Sequence, residues 1–264
     1  MAKIEVLTAG HCCNFSRMAR RRDPWRWTRF PAAFALIRPV GGAPMLFDTG
    51  YSRHVPPAMA RFPFGLYRRL LPVTTGPDAV EQLRQRGIAP EQVGTIVISH
   101  FHPDHIGGLR DFPAARFVCS RAAWQAVRGR NGFAALRRGF LADLVPPDFA
   151  QRVTFAEDLP AAPMMADVRL LTVGDEQFLL PALDGHVPGQ LGLVAEAGPG
   201  TRMLFAADAV WRRSCLADGV GPHALAMRIH HDRRAYAATV ARLAGMLRDD
   251  PGLIVVPSHD PPPC

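Results

Sequence analysis

The run Ser99-His100-Phe101-His102-Pro103-Asp104-His105-Ile106-Gly107-Gly108-Leu109 places four metal-ligand side chains within six positions. On an extended backbone His100 and His102 project to the same side, because strand side chains alternate with a period of two, so one ion can take both imidazoles. Asp104 and His105 diverge and can serve a second ion, at the roughly 3.5–4 Å spacing usual in two-metal hydrolases. Imidazole with carboxylate favours zinc, with iron, manganese or cobalt as alternatives, and no thiolate suggests a purely structural site. A polar loop would account for one histidine. It does not account for four ligand types at this spacing, which points to a metal-dependent hydrolase.

Further ligand-type residues follow strand-like runs downstream. His186 lies in Asp184-Gly185-His186-Val187-Pro188-Gly189, Asp208 ends Met203-Leu204-Phe205-Ala206-Ala207, and His259 follows Leu253-Ile254-Val255-Val256-Pro257-Ser258. A rigid sheet that presents a site at its edge is built this way. Taken singly, they read as a turn His, a capping Asp and a surface His.

His100, His102, Asp104, His105, His186, Asp208 and His259 occur in the order and contexts of the metallo-β-lactamase superfamily. Leu46-Phe47-Asp48-Thr49-Gly50 resembles its early Asp-Thr-Gly element. The chain is most similar in style to lactonase and glyoxalase II-like members, and the resemblance runs from that element to His259. It implies an αββα sandwich and two divalent ions. His100, His102 and His186 would hold one ion, Asp104, His105 and His259 the other, and Asp208 would bridge them. Asp48 would orient ligands from behind, fixing tautomer and basicity.

The sequence departs from this pattern at two positions. The usual second His of Gly-His-x-Pro-Gly-His is Gln190, which leaves the ligating first His in place. Three residues after the bridging Asp, acyl-homoserine lactonases carry a Tyr that can bond substrate; here it is Trp211. An indole N–H donates but cannot accept.

Two cations would lower the pKa of a shared water from about 15.7 in bulk to roughly 7, making hydroxide available near neutral pH. The ions would polarise a carbonyl and stabilise the oxyanion, with Asp104 or Asp208 relaying the proton. A lactone, thioester, β-lactam or phosphoester suits the same centre. Apolar loops favour an acyl ester, a lactone first and a thioester second. A phosphoester hydrolase or nuclease, and a non-catalytic metal-binding regulator, are the competing classes.

At 264 residues and 48% hydrophobic, the chain can bury a large core, and ligands spread from His100 to His259 favour one domain over 1–264. No twenty-residue apolar span occurs, and the N-terminus reads as a first strand. Cys12, Cys13, Cys119, Cys215 and Cys264 form no C-x-x-C pair, which suits free thiols in the cytoplasm. The formal charge is +8. Paired arginines such as Arg68-Arg69, Arg137-Arg138 and Arg233-Arg234 are scattered and lack the aromatic interleaving of a nucleic-acid groove, so they read as compositional bias. Arg20-Arg21-Arg22 with Trp25-Arg26-Trp27 forms a local basic–aromatic cluster, open to a lid, a dimer contact or an acidic partner, with a solvated loop as the plain reading.

Strands are expected at 3–8, 33–38, 44–48, 95–98, 167–172, 177–180, 190–196, 202–207 and 253–256, and helices at 78–86, 121–127, 133–141 and 233–247. Together they make two packed sheets with helices outside. Segments 11–32 and 51–76 stand apart as long inserted loops. Phe62, Phe64, Leu66 and Tyr67 could wall an apolar cleft, bury against the core, or meet a second copy in a homodimer. His54, Tyr67 and Trp211 are possible substrate contacts.

Overall fold

Side-chain alternation along the central strands sorts the protein into layers. In the computed structural model, which describes residues 1–163 and 165–260 apart from the side chains of Tyr67, Leu70 and Ala166, strand β2 (Trp27–Arg38) turns Phe34 and Leu36 to one apolar cluster and Ala35 and Ile37 to another. The first sheet also contains β1 (Lys3–Phe15), β3 (Met45–Phe47), β4 (Val73–Thr74), β5 (Thr95–Val97), β6 (Arg116–Cys119) and β7 (Val153–Phe155), in the order β4-β1-β2-β3-β5-β6-β7. The second holds β8 (Ala161–Ala162), β9 (Met165–Val173), β10 (Glu176–Pro181), β11 (Leu193–Gly198), β12 (Thr201–Ala207) and β13 (Leu253–Pro257), ordered β13-β12-β11-β10-β9-β8.

Between the sheets, Ile37, Phe47 and Val97 meet Phe178, Leu193 and Phe205. The outer face of the first sheet packs Leu36, Ile96 and Phe117 against Val80, Leu83 and Val127 from two helices. On the far side Leu204, Ala206 and Val255 pack against Leu243 of the helix Arg233–Asp249. Two mixed sheets flanked by helices give the expected αββα sandwich. No helix among the described residues is long and apolar enough to cross a membrane.

Side-chain caps set the helix starts. Asp78 forms a capping box with Glu81 ahead of Ala79–Arg84, Ser120 accepts from Ala123 N, and Asp232 accepts from Arg234 N and Ala235 N.

Three expectations need correction. Segment 11–32 is mostly not a loop. β1 continues to Phe15 and pairs with β2 as far as Phe15↔Trp27, after an irregularity between Thr8 and His11. Gly10 makes that irregularity possible: its φ is +76°, and a Cβ there would lie 2.5 Å from the Thr74 carbonyl oxygen of the neighbouring antiparallel strand β4. Segment 51–76 likewise folds into helices Val55–Ala60 and Gly65–Leu70 and strand β4. The helix expected over 133–141 is also shorter, Gly132–Leu136, and Gly139 at φ +60° returns the chain towards the site.

Candidate metal centre

Four strands stop at one place. β3 and β5 run parallel, as do β12 and β13, and their C-terminal ends lead into Asp48, His100, Asp208 and His259 respectively. Asp48 and Ala207 take positive φ of 59° and 46°, a conformation that costs a non-glycine residue energy and turns the chain sharply at the strand ends. His102 ends the loop after β5 as the extended N-cap of helix Pro103–Ile106, where Pro103 occupies the first turn. His186 enters from the loop after β10. Its neighbour Gly185, at φ +126°, passes so close to Tyr236 that a Cβ would lie 2.1 Å from the Tyr236 amide nitrogen.

The side chains gather into two groups that could each hold a cation: His100, His102, His186 and Asp208, and Asp104, His105 and His259. His102 Nδ1 lies 2.9 Å from His100 Nε2 and 3.1 Å from His186 Nε2. Ligands bonded to one tetrahedral zinc at about 2.0–2.1 Å stand about 3.3 Å apart, so this spacing suits a shared ion. Asp208 faces both groups. Its Oδ2 is 3.2 Å from His186 Nε2, and its Oδ1 is 3.4 Å from His105 Nε2 and 3.2 Å from His259 Nε2. Asp104 Oδ2 lies 3.7 Å from both His105 Nε2 and His259 Nε2.

Hydrogen bonds behind the rings choose the tautomers. Ser99 donates from N and Oγ to Asp48, at 2.8 and 2.7 Å, and Asp48 Oδ2 stands 2.7 Å from His105 Nδ1. With its proton committed to Asp48, the Ser99 hydroxyl accepts from His100 Nδ1 at 3.0 Å. His259 Nδ1 donates to the Pro31 carbonyl at 2.9 Å. His102 donates to the Arg138 backbone, the Nε2 edge of its ring lying beside Gly139. Each of these four rings therefore turns a lone pair inward, as metal binding needs. His105 Nε2 and Asp208 Oδ1 are buried with no hydrogen-bond partner. An unsatisfied donor set of this composition fits a pair of divalent ions.

The electrostatics separate the two groups. Burial, reinforced by neighbouring imidazoles, drives His100 and His186 well below the ordinary histidine pKa. Burial acts the same way on His259, but Asp208 and Asp104 outweigh it and hold His259 up at about 9. His105 is likewise raised, against burial, by Asp104, Asp48 and Asp208. Asp208 is held well below the carboxylate range, because His259 and His105 overcome the cost of its burial.

A cleft of about 560 Å³ opens over the centre, with His102, Asp104, His186, Asp208 and His259 at its floor and Phe30, Leu66, Leu71 and Trp211 on its walls. Trp211 lies 6.0 Å from the His186 ring, and its Nε1 is buried without a partner. Phe64 instead packs against the apolar core, and the side chain of Tyr67 lies outside the described residues. His54 contacts Asp111 at 2.8 Å rather than the cleft. Phe62 is exposed against Phe133. Gln190 is fully buried and donates to the Ala206 carbonyl at 3.2 Å, so at this departure from the family pattern the side chain ties the His186 loop to β12.

His230 escaped the sequence reading. It is buried between the rings of His186, at 5.0 Å, and Tyr236, at 4.3 Å. The adjacent pair His230-His231 was the available signal. Cys12, Cys13, Cys119 and Cys215 are free, and Cys264 lies outside the described residues.

The metallo-β-lactamase superfamily model matches residues 27–259, taking in all seven ligand candidates and Asp48. The chain belongs to this superfamily. Among metallo-β-lactamase relatives, a "Probable metallo-hydrolase" of Mycobacterium tuberculosis is 30% identical over 233 residues, 82% of this chain and 71% of that protein. An N-acyl homoserine lactonase of Agrobacterium fabrum is 28% identical over 185 residues, 68% of this chain and 61% of that one. Among solved structures, an N-acyl homoserine lactone hydrolase bound to the product N-hexanoyl-L-homoserine superimposes with a TM-score of 0.72, covering 98% of this chain and 93% of its own at 19% identity. A dizinc quorum-quenching lactonase gives 0.66, covering 99% and 88% at 16% identity. At those identities the structures speak for the fold. The chain is thus a hydrolase of the metallo-β-lactamase superfamily with His and Asp groups suited to metal.

Proposed function

We propose that this chain is a binuclear metal-dependent hydrolase of carboxylic esters, acting first on lactones of the acyl-homoserine kind. The observation that carries the reading is Asp208, whose two oxygens face two separate ligand groups on the floor of an apolar-walled cleft. His100, His102 and His186 would hold one ion, Asp104, His105 and His259 the other, and Asp208 would be shared. When bound, two divalent ions, zinc foremost, supply Lewis acidity towards the carbonyl and a water acidic enough to ionise near neutral pH.

The chain's own groups do the rest. Asp48, Ser99 and Pro31 hold the imidazoles in the tautomer and angle described above, so little reorganisation is left for the reaction. Trp211 Nε1, unpartnered beside His186, offers a donor to the carbonyl side of a bound ester. Asp104 lines the cleft and is placed to carry the proton to the leaving oxygen. Leu66, Leu71 and Phe30 exclude water and seat an acyl chain. The reading includes one hydrolase domain over 1–264 and a cytoplasmic location, the latter supported by the free cysteines.

The lactonase relatives support the lactone reading, and acyl thioesters are the next class that this geometry would attack. The test is proton release by zinc-loaded protein on acyl-homoserine lactones, acyl thioesters and a phosphodiester. Lactone turnover well above the other two is expected. Preferred cleavage of the phosphodiester would overturn the ester reading.

A further inference from the structure

The cleft does not end at the metal groups. It continues into an annex of about 400 Å³ lined by Arg130, Arg137, Arg138, Ile229, His230 and His231, with Arg137, Arg138, Ile229 and His231 common to both spaces. Far from being scattered bias, these arginines converge with a segment some ninety residues downstream. Among the described residues, no carboxylate lines the annex. None of its three arginines makes an ion pair among the described residues, in contrast to Arg20, Arg38, Arg53 and Arg86.

Both walls are fastened to the metal groups. The Arg137–Gly139 turn lies on His102, which donates to the Arg138 backbone, and a Cβ on Gly139 would stand 2.9 Å from His102 Cδ2. On the opposite wall, His231 N donates to the His186 carbonyl at 2.9 Å. The backbone that carries the annex residues is therefore fastened next to the reacting centre. His230 gives Nδ1 to the Ala226 carbonyl at 3.1 Å, leaving a buried Nε2 with no partner. That nitrogen is an acceptor for an O–H or N–H arriving in the annex.

Guanidinium groups with no carboxylate partner beside a hydrolytic centre are open to a substrate anion, and their planar forks match carboxylate and phosphate oxygens. We propose that the annex is an anion subsite: the natural ester carries, besides its scissile carbonyl, a carboxylate or phosphate that Arg137 and Arg138 bind, with a neighbouring donor taken by His230. The proposal rests on the carboxylic-ester hydrolase reading and narrows it: the preferred ester or lactone carries an anionic substituent, which a simple acyl-homoserine lactone lacks.

The test compares zinc-loaded wild type with R137Q/R138Q on three p-nitrophenyl esters of equal chain length, ending in methyl, carboxylate or phosphate. In wild type a charged tail should raise kcat/KM about tenfold over methyl, chiefly through KM. The double variant should erase that ratio, and R137K/R138K, which keeps the charge, should retain part of it. Whichever charged tail gains more identifies the source of the anion. A wild-type ratio of one or below, or a ratio that survives R137Q/R138Q, overturns the subsite. If none of the esters is cleaved, the hydrolase reading fails, and calorimetric titration with glutarate and with inorganic phosphate decides the annex separately. Weaker binding to R137Q/R138Q than to wild type then supports it, and equal binding overturns it.

Discussion

Asp48 Oδ2 stands 2.7 Å from His105 Nδ1, and neither side chain is exposed at all. Ser99 donates twice more to the same carboxylate, so the end of β3 is hydrogen-bonded to His105 of one candidate ligand group and, through Ser99, to His100 of the other. Burial pushes the Asp48 carboxyl upward, and His105 and Ser99 oppose that push by favouring the charged form.

Asp48→Asn tests this arrangement. Three donors point at two oxygens, and an amide offers only one acceptor, so at least one N–H or O–H must face another donor. Metal affinity should fall about 10–100-fold, as for other changes behind metal-bound histidines. Chelator competition on refolded protein measures it. Unchanged affinity would mean that Asp48 holds only the loop.

Asp208→Asn should be more severe, because one substitution touches both groups. Hydrolysis is expected to fall by at least about a hundredfold, with a weakened metal complement by elemental analysis. Circular dichroism should keep its native shape, since the three apolar clusters do not depend on an ion as a small zinc module does. Loss of folded signal together with metal would show a structural centre. A normal metal complement with full turnover would remove Asp208 from the shared position.

The convergence of the candidate ligands was legible in the sequence because three of them follow buried strands: Val97 precedes His100, Ala207 precedes Asp208 and Pro257 precedes His259. The αββα layering was legible for the same reason, since Phe34 to Ile37 and Met203 to Ala207 alternate between two clusters. The outer half of the β1–β2 hairpin was not, because His11-Cys12-Cys13-Asn14-Phe15 and Trp27-Thr28-Arg29-Phe30 carry no clean apolar/polar alternation in sequence, although Thr28, Phe30 and Ala32 are more buried than Trp27, Arg29 and Pro31. Phe64 and Leu66 could not be told apart either. Both are apolar and two residues apart, yet one packs on the core and the other lines the cleft. The convergence of Arg137 and Arg138 with His231 depends on Gly139 and on the His186 loop, a long-range meeting that local spacing does not encode.

The pH dependence has opposite signs in the two groups. His259, raised from an unfolded value of 6.5 to about 9, and His105, also raised, stabilise the metal-free protein fully below 6.5. The His259 part is lost as pH rises through about 9, and the His105 part as pH rises through its own raised pKa. His100 and His186, lowered by burial, act below 6.5, where acid protonates the unfolded chain first. Metal-free protein should therefore lose Tm between pH 6.5 and 9. Metal affinity should rise over the same interval, because the ion must displace the proton on His259. Thermal melts with and without zinc, and calorimetry in buffers of different ionisation heat, check both. A metal-free Tm that climbs from pH 6.5 to 9 contradicts the assignment.

The last prediction separates the two residues of the 51–76 segment. If the apolar wall seats an acyl chain, each added methylene should raise kcat/KM up to about fourfold, the equivalent of ~0.8 kcal/mol. Leu66 lines the cleft, so Leu66→Asp should flatten that chain-length series while a short ester is turned over with a similar slope against enzyme concentration. Phe64 packs on the core, so Phe64→Ala should leave the series intact and lower stability by about 2 kcal/mol, the cost of a partly buried large-to-small change. Kinetics on C4 to C10 lactones, with urea unfolding of both variants, make the comparison. A series that flattens in Phe64→Ala and not in Leu66→Asp would move the acyl channel from the Leu66 wall to the core side of the segment.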